Sequence, residues 1–106
     1  MPKYLIQANY VGDGVKGLIK EGGSARRAAA EKAVKSVGGS LDAMYFAFGD
    51  VDVFAIVDMP NHASMTAAAL TINASGGVSI RTTVLMSPAE VDEAVKMHPS
   101  YRAPGQ

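Results

Sequence analysis

The amino-acid sequence predicts one α+β domain: a four-stranded, antiparallel-type sheet with helices laid against one face. Three observations predict it. Short runs with period-two alternation recur along the chain, the signature of half-buried strands. Between them lie alanine-rich segments closed by the glycine pairs Gly38-Gly39 and Gly76-Gly77, which read as helices with glycine stops. In the middle, two aromatic and β-branched runs flank Gly49-Asp50, a hairpin pattern. At 106 residues the chain has the length of one domain.

Tyr4 to Tyr10 reads as the first strand, with Tyr4, Ile6, Ala8 and Tyr10 on one face and Leu5, Gln7 and Asn9 on the other. Val15, Leu18 and Ile19 then follow at helical spacing until Gly22-Gly23 interrupts them, because glycine is costly inside a helix. Ser24 is placed to cap a restart. The segment from Ala25 to Val37, rich in Ala, Lys and Arg, favours a helix.

Ala43 to Phe48 and Val51 to Asp58 form the hairpin. A two-residue Gly49-Asp50 loop implies a type II′ turn with positive φ at Gly49. That register sets Phe48 against Val51, Phe46 against Val53 and Met44 against Ala55. Asn61 or Ser64 can cap the next helix, Ala63 to Ala74. Val78 to Met86 alternates as the last strand. Ser87-Pro88-Ala89-Glu90 carries a capping serine, a proline at the first helical position and a glutamate at the third, so a short helix starts there.

The order is β-α-β-β-α-β with a short C-terminal helix, the split βαβ arrangement of the ferredoxin-like fold. We read residues 1–96 as the domain and 97–106, with two prolines and a glycine, as an extended or flexible tail. The helix-covered face takes Ile6, Ala8, Met44, Phe46, Phe48, Val51, Val53, Ala55, Val57, Ile80 and Val84. The second face takes Leu5, Tyr45, Asp52, Phe54, Ile56, Arg81 and Leu85 beside Gln7, Asn9 and Thr83. It is too apolar for a solvated surface and too polar for a monomer core. It suits an interface, so a homo-oligomer, dimer or higher, is expected.

Composition narrows the classes. The 48% hydrophobic fraction suffices for a core, and ten basic residues balance ten acidic ones. Zero net charge argues against nucleic acid as a partner, and the basic cluster between Lys3 and Lys35 reads as solvated helix surface. The chain has no cysteine, which removes disulfides, thiolate metal sites and a cysteine nucleophile. It shows neither a signal-peptide pattern nor an apolar stretch of membrane-spanning length. The expected location is the cytoplasm, with no membrane partner.

Tyr4-Leu5 stands at the opening, Gly38-Gly39 before the second strand and Gly49-Asp50-Val51-Asp52 at the turn. Asp58-Met59-Pro60-Asn61 follows the third strand and Gly76-Gly77-Val78 enters the fourth. In the order and spacing of these pieces the chain resembles the GYD-domain family from Lys3 to Glu93. Gly49 and Asp52 match the family's naming triplet, and Val51 stands where tyrosine is usual. The resemblance implies a ferredoxin-like, dimeric α+β-barrel type of architecture and brings no settled activity.

No complete catalytic set appears. Gly12-Asp13-Gly14-Val15-Lys16-Gly17 lacks both phosphate-loop fingerprints and reads as a turn. His62 and His98 have no clustered carboxylates, so no metal site is expected, nor any cofactor. His62 is the best general acid/base candidate, since its unperturbed pKa lies near neutrality. Asp52 either orients a ligand, pairs with Arg81, or serves as a hydrogen-bonded turn or interface residue. A small-molecule pocket, if present, belongs between the helices and the sheet, because alanine-rich helices leave volume unfilled. Tyr10, Phe46, Phe48 and His62 are its candidate lining. The composite reading is a homo-oligomeric binding or regulatory module. The alternative is a small cofactor-poor enzyme, an oxygenase or isomerase of the dimeric α+β-barrel class acting on a compact organic molecule.

Overall fold

A computed structural model describes residues 1–106. In chain order the elements are β1 (Lys3–Tyr10), α1 (Gly14–Glu21), α2 (Gly23–Ser36), β2 (Ser40–Phe46), β3 (Val53–Asp58), α3 (His62–Ala74), β4 (Val78–Leu85) and α4 (Pro88–Val95). The strands form one sheet in the order β2-β3-β1-β4, with every neighbouring pair antiparallel. This is the ferredoxin-like α+β arrangement. No helix is long and apolar enough to cross a membrane.

Register explains the core. β1 sets Ile6 opposite Ala55 and Ala8 opposite Val53 on one side, and Ala8 opposite Ile80 on the other. Alternation along these strands turns Tyr4, Ile6, Ala8, Val53, Ala55, Val57 and Ile80 toward the helices, where all are buried with Val34 of α2 and Met65 and Ala68 of α3. Each larger aliphatic group so removed from water contributes about 1.5–3 kcal/mol. Met59, just past β3, is fully buried.

Helix ends follow local chemistry. The Asn61 side chain accepts the Ser64 N–H at 2.8 Å and starts α3. Ser87 and Glu90 form the capping box of α4, with Pro88 in its first turn. The break between α1 and α2 is sharper than expected. Ser24 caps nothing; α2 begins at Gly23, and Gly22 at φ 83°, ψ 169° makes the corner. That backbone region is open almost only to glycine. The Gly22 N–H closes α1 on the Leu18 carbonyl at 2.8 Å.

The central hairpin keeps the expected register but ends early. Phe46 pairs with Val53 and Met44 with Ala55. The ladder stops at the Ala47 N–H to Asp52 carbonyl bond of 2.8 Å. Phe48 does not face Val51: it is fully exposed, while Val51 is buried. Gly49 is not among the glycines with positive φ. The reason lies in β1. The Asp52 N–H donates to the Ala8 carbonyl at 3.0 Å and to Asn9 Oδ1 at 3.0 Å. These bonds draw the start of β3 onto β1 and release the tip into a longer loop. β2 also carries a register shift between Leu41 and Ala43, a bulge that leaves Asp42 as the extra residue.

The helices cover less of the sheet than the period-two pattern suggested. Phe46, Phe48 and Val84, all assigned to the covered face, are exposed. α4 buries no residue. The molecule is elongated, 58 Å along its longest axis with a radius of gyration of 17.0 Å, against about 13 Å for a compact chain of this size. Residues 97–106 form no helix or strand.

Candidate functional site

At the C-terminal end of β1 three recesses meet at one side chain, Tyr10. The first, about 340 Å³, is an aromatic mouth where Tyr10, Phe46 and Phe48 gather with Leu18 of α1 and Asp52. The second, about 140 Å³, runs between α2 and the sheet. The third, about 200 Å³, lies between Tyr10, Arg26 and the backbone of Gly14 and Gly77. Local sequence builds this corner. The Val11 N–H bonds the Gly77 carbonyl at 3.0 Å. A Cβ on Gly14 would stand 2.0 Å from that same carbonyl oxygen. Of the Gly12–Gly17 segment, expected to be a turn throughout, only Gly12-Asp13 form one; Gly14 already begins α1 and packs against the backbone that enters β4.

Asp52 is fixed by backbone: its Oδ2 accepts the Tyr10 N–H at 3.0 Å. It makes no ion pair with Arg81, which lies two residues along, opposite Gln7 rather than Asn9. Asp52 therefore joins the tip of the hairpin to the end of β1 and sits at the edge of the aromatic mouth.

Tyr10, Phe46 and Phe48 come together; His62 does not join them. β1 and β3 are antiparallel, so the end of β3 lies beside Lys3, and α3 starts at that side of the sheet, about 20 Å from Tyr10 along β1. There His62 Nδ1 hydrogen-bonds the Tyr4 hydroxyl. The rings meet edge-on at a centroid distance of 5.7 Å and an interplanar angle of 78°. Tyr4 is buried whereas His62 is exposed, and both border a recess of about 270 Å³ with Thr66, Asn73 and Val84. Residue type alone does not reveal this pair; antiparallel register places Tyr4 where α3 begins.

The uncovered face of the sheet carries the other candidates in rows. Tyr45, Phe54, Gln7 and Arg81 lie across the four strands at one level, and Ala43, Ile56, Leu5 and Thr83 at the next. Tyr45 is 72% exposed and Phe54 36%; Leu5, Ile56 and Leu85 are half-buried. At the far end, Lys3 Nζ lies 2.9 Å from Asp58 and 2.5 Å from Asp42 on the bulge. Hydrogen bonds to Asp42 and then Asp58 hold the Lys3 pKa above its ordinary value. The Lys3 hydrogen bond, before that of Asp58, holds Asp42 below the usual carboxylate value. The bulge that aims Asp42 at Lys3 leaves no mark in the period-two pattern.

A family model described as the GYD domain matches residues 4–95 of the chain. Among solved structures, the chain is similar to the NE2512 protein of unknown function from Nitrosomonas europaea. The two share 19% sequence identity over 81% of this chain and 90% of that one, with a TM-score of 0.41. No curated protein matches the chain.

Proposed function

The chain belongs to the GYD-domain family, and from that premise we propose that it acts as a homo-oligomeric binding or regulatory module. The observation that carries the reading is the uncovered sheet face. Two aromatic side chains, Tyr45 and Phe54, pair across β2 and β3, and Leu5 and Ile56 pair beside them toward the centre of the face. One face of a four-stranded sheet can supply the roughly 800 Å² per partner that a specific interface buries. Gln7 and Arg81, paired in the same row, supply polar groups that orient such a contact. A cysteine-free chain suits the reducing cytoplasm, where this reading puts it. Sedimentation equilibrium at micromolar concentration tests it: a dimer or larger assembly is expected, and a clean monomer overturns it.

A second reading, a small cofactor-poor enzyme, is favoured by the Tyr4–His62 hydrogen bond beside an open recess. A histidine positioned by a hydrogen bond is the commonest acid/base group of enzymes. Native mass spectrometry after exposure to a metabolite mixture separates the readings. A small molecule retained by the wild type and lost in His62→Ala supports the enzyme. An oligomer retaining nothing supports the assembly role alone.

A further inference from the structure

The space between α2 and the sheet is nearly all hydrocarbon. Of the sixteen residues around this cavity of about 140 Å³, fifteen are hydrophobic, and the remaining one is Arg26. We infer that the cavity takes the ring or short chain of a small amphipathic carboxylate, with the carboxylate meeting Arg26 at the rim. The inference deepens the binding reading by naming a ligand class; it does not depend on the oligomeric half of that reading.

Volume comes first. α2 turns Ala29, Ala30 and Ala33 toward the layer, and the sheet answers with Ala8 and Ala55. Small residues facing small residues leave a gap that neither element closes. A dry apolar cavity of about 150 Å³ is large enough to accept benzene, so this one is ring-sized. It is too small for a nucleotide, and apart from Arg26 and the Tyr10 hydroxyl its lining offers nothing to satisfy polar groups.

Charge decides the rest. The Arg26 side chain is one-third exposed, and its partner is Glu21, at 3.3 Å through a single guanidinium nitrogen. An exposed, long, single-pronged pair of that kind is weak. A guanidinium has five N–H donors in a planar fork that matches a carboxylate through two parallel bonds. Arg26 borders both the cavity and the recess it shares with Tyr10. A ligand with its apolar end inside therefore has its head group beside this fork. The aromatic mouth of Tyr10, Phe46 and Phe48 adjoins the same corner.

Phenylacetate and its neutral counterpart 2-phenylethanol are suitable probes, titrated into the full chain by calorimetry and followed by thermal shift. Phenylacetate is expected to bind at least about tenfold tighter than the alcohol, the scale of one charge-assisted bond. Arg26→Gln is expected to remove that preference, weakening phenylacetate about tenfold more than the alcohol. Ala33→Leu fills the cavity and is expected to abolish both. Should that variant not fold, ring-to-methyl nuclear Overhauser effects from phenylacetate to Val34 and Ala30 in the wild type report the same placement. Failure of both probes to bind, equal affinity for the two, or an Arg26→Gln variant that keeps the preference overturns the inference. Sedimentation of the same samples keeps the two proposals apart. A monomer that binds phenylacetate sinks the oligomer alone, and an oligomer that binds neither probe sinks the carboxylate site alone.

Discussion

Lys3 is the residue whose surroundings make the plainest pH prediction. Asp42 is held below its usual pKa by the Lys3 hydrogen bond. Its contribution to stability is therefore present above the ordinary aspartate value, about 3.9, and is lost as pH falls through the lower, folded-state value. Lys3, whose pKa is raised by Asp42 and Asp58, contributes fully below about 10.4 and loses that contribution as pH rises through its folded-state value. Asp42→Asn should accordingly lower the melting temperature by an amount that is constant between about pH 6 and pH 9 and shrinks progressively once acid begins to protonate Asp42, below its ordinary value of about 3.9. Thermal unfolding of both proteins across that range checks it; a difference that persists in strong acid would mean that packing, not charge, holds the bulge.

At the scale of elements, two glycines should respond in opposite ways. Gly22 adopts φ 83°, ψ 169° at the corner between α1 and α2. Gly22→Ala is expected to cost about 1–3 kcal/mol, the range for backbone held in a glycine-only region. Gly49 has no positive φ, and a Cβ there meets nothing within 4 Å. Gly49→Ala should be neutral or stabilising by up to about 1 kcal/mol, because it restricts the unfolded chain. Urea denaturation of both variants reads the contrast. α4 permits a third test. It has a complete capping box yet buries nothing, and an isolated helix of eight residues is marginal in water. Removing residues 87–106 should therefore leave the melting temperature of the monomeric body within about 2 °C, the shift expected for well under 1 kcal/mol. A larger loss in dilute solution would mean that the arm packs on the body.

Over the whole molecule, the sheet is asymmetric: one side carries helices and the other carries Tyr45 and Phe54 in the open. If that side joins two copies, Phe54→Glu puts an unpaired carboxylate into the contact. That costs about 3–5 kcal/mol when the charge is buried, weakening association by more than about a hundredfold. Sedimentation velocity over a dilution series should show the variant monomeric where the wild type remains assembled, with unchanged circular dichroism. Identical sedimentation of the two would remove Phe54 from the interface.

The elements were legible because their signals are local. Period-two alternation, the Asn61 and Ser87 caps and the glycine stops each act within a few residues, and together they determined the order β-α-β-β-α-β and the pairing of Phe46 with Val53. The gathering of Tyr10, Phe46 and Phe48 at one corner was partly legible, since β1 and β2 both run antiparallel to β3 and so carry Tyr10 and Phe46 to the same end of the sheet. The rest depends on contacts between distant segments. Antiparallel register sends His62 to Tyr4 and away from Tyr10. Competition between β1 and the hairpin for the Asp52 N–H shortens β2 and turns Phe48 outward. The cavity beside Arg26 exists because alanines from α2 and from two strands happen to face one another. Volume left between two elements is a property of neither sequence segment alone, so only the tertiary structure could decide it.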